Sequence, residues 1–369
     1  MIETEYTQIL KCIDLIEPIK YASTRNYANG AVTHLSPYIS RGIISPNQIL
    51  RSLASKSYQW SEVKTLVQQL AWREYFQRVW QIKKDEISFD LKQPQTNVAH
   101  KNVPIAISAA TTGIEAIDTA IKDLYNNGYM HNHLRLYVAS IACNIGQAHW
   151  LSPARWMYYH LLDADWASNA CRWQWVCGAF SAKKYYANQE NINRYTNSIQ
   201  AGTFLDTNYE ALPLLPIPMA LIEVNKYELI TLLPKASSVN FDPTKPILIY
   251  NGYNLDPEWR KNEIANRILL LEPYHFEQYP ISSKAIDFIL ALSKNVEGIQ
   301  VVVSEFADFK KQFASNKIIY KEHPLFIHYQ GTCDSREWMC EEIKGYFPSF
   351  FNYWKRCEPL LIDQFNSLK

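Results

Sequence analysis

Apolar positions in the first 204 residues recur at helical spacing. Leu66, Leu70, Tyr75 and Val79 fall near one face of VQQLAWREYFQRVW. Ile114, Ile117, Ile121 and Leu124 follow at i, i+3, i+7 and i+10, and Gly128 stands where a cap is expected. A third helix is predicted from His131 through HNHLRLYVASIACNIG. A fourth is predicted in SPARWMYYHLLDAD, opened by Ser152 and Pro153. No period-two alternation with tight hairpin turns occurs before residue 200.

The pattern then changes. Pro213, Pro216, Pro218, Pro234, Pro243 and Pro246 punctuate residues 212–246, as in a linker. Short apolar runs follow at 247–250 (ILIY), 268–271 (ILLL) and 299–303 (IQVVV), with the helical stretch SSKAIDFILALSKNV between the last two. Strand, helix and strand in alternation predict a small parallel α/β domain. Neither GxGxxG nor GxxxxGK[ST] occurs, so no phosphate loop of those types is expected there. The expected organisation is a helical domain over 1–204, a linker over 205–245 and a smaller α/β domain over 246–369. The fold class is thus mainly α with an α/β appendage.

Composition refines this picture. Of 369 residues, 47% are hydrophobic and 20% charged, which excludes a disordered or fibrous chain. No apolar run reaches the roughly 18 residues of a membrane span. MIETEYTQIL lacks the basic flank and apolar stretch of a signal peptide, so a cytoplasmic protein without membrane contact is expected. The seven cysteines form no CxxC pair, which argues against a disulfide framework and a zinc ribbon. The total charge of +1 conceals asymmetry: residues 1–204 carry +5 and residues 205–369 carry −4. Eight of the 11 Trp lie in the basic half, a combination suited to nucleic acid.

Three segments carry candidate chemistry. From Thr24 to Pro46, hydroxyls lead into Leu-Ser-Pro; such a helix start can hold phosphate oxygens, although an ordinary N-cap with Pro at N1 accounts for it too. From Gln68 to Phe76, Trp-Arg-Glu offers a stacking plate, a guanidinium and a carboxylate, or simply a core Trp beside a surface ion pair. From Gly128 to Trp175, Asp163 and Asp165 stand two apart near the end of a helical stretch, and Arg135 can pair with either. His131 and His133 point to different faces of a helix, so no metal site is expected.

In this order, VTHLSPYISRGIISP, QLAWREYF, GYMHNHLRLYVAS and LLDADWASNACRWQW resemble the FAD-binding domain of the photolyase/cryptochrome family, over roughly residues 18–195. The resemblance implies a helical domain that holds a folded FAD. It implies that Thr33, Leu35 and Ser36 contact the diphosphate, with His34 in a position that is often cationic and Tyr21 lying over it. Arg73 and Asn132 would stand near the cofactor, and Arg135 and Asp163 would form an ion pair at the ring edge. Asp165 would accept from the ring, and Asn169 would face flavin N5, where residue type tracks the persisting redox states. Trp72 and Trp175 would wall a flipped pyrimidine dimer, with Gln69, Asn132 and Leu136 lining the lesion site and Arg172 at its mouth. Trp173 and Trp150 would begin an electron-transfer chain. Its third member has no counterpart, and Trp156, Tyr158 and Tyr159 are candidates for it.

Departures from the family shape the expectation. Gln69 replaces the Glu usual in cyclobutane-dimer photolyases, and Gln cannot donate a carboxylic proton. GAFSAKKYYANQENINRYT resembles the branch containing iron–sulfur bacterial photolyases and short photolyase-like proteins. Cys171 and Cys177 do not reproduce that branch's ligand spacing, so no iron–sulfur cluster is expected. The α/β segment follows the helical domain here, where the family places its antenna domain first. It is either a relocated antenna domain or an unrelated appendage, and an antenna chromophore stays open. The expected activity is that of a monomeric light-driven DNA photolyase acting on damaged single- or double-stranded DNA. The alternatives are a cryptochrome-like photoreceptor with a protein partner, or another kind of flavin module.

Overall fold

The computed structural model describes residues 2–235, 240–314 and 316–369. The chain forms two compact units, each assembled from separated segments. The first comprises Met1–Ile16, Thr33–Glu74 and Ile230–Lys369; the second comprises Glu17–Val32 and Tyr75–Leu229. The boundary near residue 74 falls inside helix α1, Trp60–Lys83.

The second unit is helical. Helix α2 (Glu115–Asn127) forms as its apolar spacing predicts: Ile117, Ile121 and Leu124 are buried on one face. Gly128 ends it at φ 66°, and a Cβ there would lie 2.5 Å from Leu162 Cγ, so only glycine fits both the turn and the packing. Helix α3 (Asn132–Ser140) continues through a wider π turn at Ile141–Ile145. Helix α4 (Leu151–His160) ends earlier than its sequence predicts. Leu161 is extended and Ala164 adopts a positive φ of 30°, so LLDAD is a turn. Asp163 and Asp165 therefore lie between helices, and Asp165 caps helix α5 (Trp166–Cys177). A two-residue antiparallel ladder joins Val103–Pro104 to Val224–Asn225.

The first unit contains a five-stranded sheet. Its strands are β1 (Ile247–Tyr250), β2 (Asn266–Leu271), β3 (Ile299–Val303), β4 (Ile318–Lys321) and β5 (Thr332–Asp334). They run parallel in the order β3-β2-β1-β4-β5. All four residues of β1 are buried, as expected of a central strand covered on both faces. Helix α6 (Ser283–Ser293) realises the predicted helical stretch and is capped by Ser282.

Strand order reverses at β1, and doubly wound sheets commonly bind ligands in the crevice beyond such a reversal. Here the unit's own residues pack around the loop beyond β1. Buried Arg41 donates from Nη1 to Gly252 O at 3.2 Å, and Leu255 N donates to Arg41 O at 3.0 Å. Gly42, at φ 65°, comes so close that a Cβ would lie 2.5 Å from Tyr253 O. The Tyr253 ring stacks on His323, centroids 4.4 Å apart, and meets His275 edge-on at 5.9 Å.

Burial keeps both imidazoles neutral, His275 at about 4 and His323 well below its ordinary value. A histidine in the unfolded chain protonates near 6.5. Between these values the unfolded chain binds more protons than the folded one, so the stabilisation present above pH 6.5 is lost as pH falls toward 4. Urea midpoints measured from about pH 7.5 to about pH 4.5 should decline through this window, and His275→Phe should flatten the decline.

Candidate functional site

The turn from α4 to α5 organises the polar centre of the second unit. Asp163 is buried and pairs with Arg135 on α3, Oδ2 to Nη2 at 2.9 Å. Arg135 Nε also donates to Met130 O at 2.8 Å, which fixes the guanidinium plane. Asp165 is buried as well. Its Oδ1 accepts from Ser168 N at 3.0 Å, an N-cap, and from Gln77 Nε2 at 2.8 Å. Thus one carboxylate answers a guanidinium, and the other answers an amide and a helix start.

Helix α5 carries the rest of the constellation. Asn169 lies one turn beyond Asp165 and donates from Nδ2 to Ala154 O at 2.8 Å. Trp173 lies a further turn on. It is buried, and its Nε1 has no hydrogen-bond partner among the described residues. Arg172 donates from Nη1 to Asn132 Oδ1. Burial, then neighbouring Arg135, lowers the Arg172 guanidinium to about 10, while Asp163, Asp165 and Tyr21 act in the opposite direction. Burial raises the Tyr21 phenol, and Arg25 and Arg172 partly offset the rise. Tyr21, Asn132, Arg135, Asp163, Asp165 and Arg172 therefore share one electrostatic neighbourhood. Leu136 is half-buried on α3.

The tryptophans divide into two groups. Trp175 is 39% exposed, with its ring 5.6 Å from Tyr185. Trp150 is buried, donates from Nε1 to Asp90 Oδ1 at 2.7 Å and stacks with Trp166 at 6.4 Å. Trp166 meets Tyr158 edge-on at 5.5 Å. Trp156 packs on Tyr125 at 6.2 Å, and Tyr159 on His160 at 5.0 Å. Sequence reasoning missed Trp166 and Gln77; Gln77, one turn beyond Arg73 on α1, had a periodicity signal, whereas Trp166 had none beyond its residue type.

Thr33, His34, Leu35, Ser36, Gln69, Trp72 and Arg73 belong to the first unit. Leu35 N donates to Thr33 Oγ1 at 3.4 Å, and His34 takes a left-handed φ of 54°. Burial lowers the His34 pKa, so it stays neutral near pH 7. Ser36 opens a five-residue helix, Ser36–Ser40, with Leu35 at the N-cap and Pro37 in the first turn. Gln69, Trp72 and Arg73 are half-buried on α1. Arg73 is among the charges that disfavour protonation of His323.

Trp-Arg-Glu is not a core Trp beside a surface ion pair. Glu74 is buried and accepts from Met339 N, from Cys340 N at 3.2 Å and from Tyr353 Oη at 2.5 Å. Tyr353 lies on the C-terminal helix α7, Phe350–Ser367. Phe350 of that helix stacks on Trp72, centroids 3.8 Å apart and planes 12° apart.

Chemically, the second unit offers buried acceptors on Asp165, an amide on Asn169 and fixed guanidinium groups on Arg135 and Arg172. This set suits a heteroaromatic ring edge bearing both N–H and carbonyl groups, and so fits an isoalloxazine. Among the described residues, no group of three or more His, Cys, Asp or Glu could hold a metal ion, and no helix is long and apolar enough to cross a membrane.

Comparison with known proteins agrees with this chemistry. The family described as the FAD binding domain of DNA photolyase matches residues 66–211. A deoxyribodipyrimidine photo-lyase from Streptomyces griseus is 29% identical over 152 residues, 41% of this chain and 33% of the relative. A chloroplastic/mitochondrial cryptochrome DASH from Ostreococcus tauri is 28% identical over 206 residues, 53% of this chain and 37% of the relative. The chain thus spans about a third of the length of these curated relatives. Among solved structures, a class III photolyase from Agrobacterium tumefaciens is 24% identical with a TM-score of 0.45, covering 52% of this chain and 44% of that one.

Two substitutions test the buried charges. Arg135→Ala removes the guanidinium paired with buried Asp163 and should cost about 3–5 kcal/mol in urea unfolding; adding Asp163→Leu should recover part of it. Glu74→Ala strands two backbone N–H groups and a phenol, and should cost about 3 kcal/mol by the same measurement.

Proposed function

Over residues 66–211 the chain belongs to the photolyase/cryptochrome family, and on that premise we propose that it is a flavoprotein that repairs pyrimidine dimers in DNA under blue light. The observation that carries this reading is the buried arrangement of Arg135, Asp163, Asp165 and Asn169. When bound and reduced, FAD supplies the light-driven electron that opens the dimer and takes it back afterwards.

The chain's own residues bind and orient. Asp165, fixed by Gln77 and the start of α5, presents a charged acceptor to a ring N–H. The Asp163 carboxylate holds Arg135 at one orientation, so its remaining N–H groups are aimed without reorganisation. Asn169, held through Nδ2 by Ala154 O, would have its amide oxygen left to accept from the ring. Thr33, His34, Leu35 and Ser36 would hold the diphosphate, where His34, its pKa lowered by burial, would contribute no positive charge near pH 7. Trp175 would offer an exposed stacking face to a flipped base, and half-buried Trp72 only the face that Phe350 leaves. Gln69 hydrogen-bonds a base carbonyl but has no acidic proton to give. Trp173 and Trp150 would relay electrons to the bound group, and the Trp150–Trp166 stack, with Tyr158 edge-on to Trp166, would lengthen that relay.

One observation favours a second reading, a light-sensing protein with a protein partner. Phe350 already covers a face of Trp72, which reduces the surface left for a base.

The deciding experiment illuminates purified, photoreduced protein with oligonucleotides carrying a cyclobutane dimer or a (6-4) product, single- and double-stranded. Light-dependent loss of a lesion is expected. Bound, photoreducible flavin with no lesion loss overturns repair and leaves the sensing reading. In the same preparations, Asp165→Asn should lower the flavin-to-protein absorbance ratio. Trp175→Ala should weaken lesion binding by about tenfold, a loss of about 1.4 kcal/mol.

A further inference from the structure

Helix α7 carries one large aromatic residue that its fold does not use. Its core face is Phe350, Tyr353, Trp354, Cys357, Leu361 and Phe365, all buried at helical spacing. Phe351 lies off that face and is 66% exposed. It stands edge-on to Trp72 at 6.3 Å and to Phe350 at 5.5 Å. Lys355, one turn further along its face, is exposed, and so is Arg356, which lies further round the helix with its guanidinium over the Phe347 ring at 5.7 Å.

The helix start that presents these groups is firmly held. Ser349 caps it by accepting from Asn352 N at 3.3 Å. Glu74 binds Tyr353 Oη, and Phe350 is stacked on Trp72. Glu358, which would repel a phosphate, is neutralised by Lys64 at 2.6 Å. An exposed ring with one cation a turn away and a second beside that cation matches a nucleic-acid strand, whose bases stack and whose phosphates need counter-charge.

We propose that the first two turns of α7 form a DNA contact beside Trp72: Phe351 stacks on an unpaired base, and Lys355 and Arg356 neutralise phosphates of the same strand. This rests on the DNA-binding reading above. It adds to that reading a surface outside the segments that resemble the flavin-binding family.

The test titrates full-length, flavin-loaded protein against a fluorescently labelled single strand containing one thymine dimer, across a salt series. Phe351→Ala, the double variant Lys355→Gln/Arg356→Gln, and Trp175→Ala are compared with wild type. The α7 substitutions are on exposed positions, and an unchanged unfolding midpoint verifies that each variant folds. Phe351→Ala should weaken binding about tenfold. The double variant should reduce the slope of log affinity against log salt by about 1.4, the value for two single-strand phosphate contacts. If wild type binds and Trp175→Ala weakens binding, but the α7 variants match wild type in affinity and slope, the α7 contact is overturned and the DNA reading stands. If wild type does not bind the strand at all, both fall.

Discussion

The Asp163 carboxylate lies out of water, and the connection between α4 and α5 is built around that condition. A buried carboxylate is tolerated only where donors replace its hydration. Arg135 supplies a charged donor from the neighbouring helix α3, and its own orientation is set by Met130 O. Two residues later Asp165 is satisfied by a different device, the N–H groups of a helix start together with Gln77. Because the two carboxylates draw on separate donors, they can stand close in sequence without competing for one proton. The left-handed turn at Ala164 is what separates them.

The same rule governs the first unit at Glu74. There the answering donors come from Met339, Cys340 and Tyr353, so a motif residue of α1 becomes the anchor of the C-terminal segment. The neighbouring Trp72 is drawn into an aromatic stack with Phe350 by the same docking. In the second unit Trp175 keeps much of its surface in solvent. Two tryptophans with equal promise in the sequence thus have unequal surroundings, and the difference lies in what packs on them.

Much of this was legible in the residue order. Ile117, Ile121 and Leu124 with Gly128 specified α2 and its end, since a repeated apolar stripe and a cap agree with one another. ILIY and ILLL gave strands because buried parallel strands are continuous apolar runs, and IQVVV gave the half-buried edge strand through its β-branched residues. Strand β5 was not visible, since Thr332, Cys333 and Asp334 form an exposed or half-buried edge with no apolar pattern. LLDAD read as helix because its leucines kept the spacing, and the left-handed Ala164 carries no composition signal. The Arg135–Asp163 pair was accessible through resemblance. The partners of Glu74 were not, since they lie more than 260 residues away and nothing local points to them.

That separation bears on how the protein is made. Glu74 leaves the ribosome 265 residues ahead of Met339 and 279 ahead of Tyr353. Until those segments emerge, Glu74 lacks these three donors and Trp72 lacks its stack with Phe350. All residues of the second unit have been synthesised by residue 229, so its own contacts can form during synthesis. The first unit, begun earlier, closes last, and contacts of such long range make that closure slow.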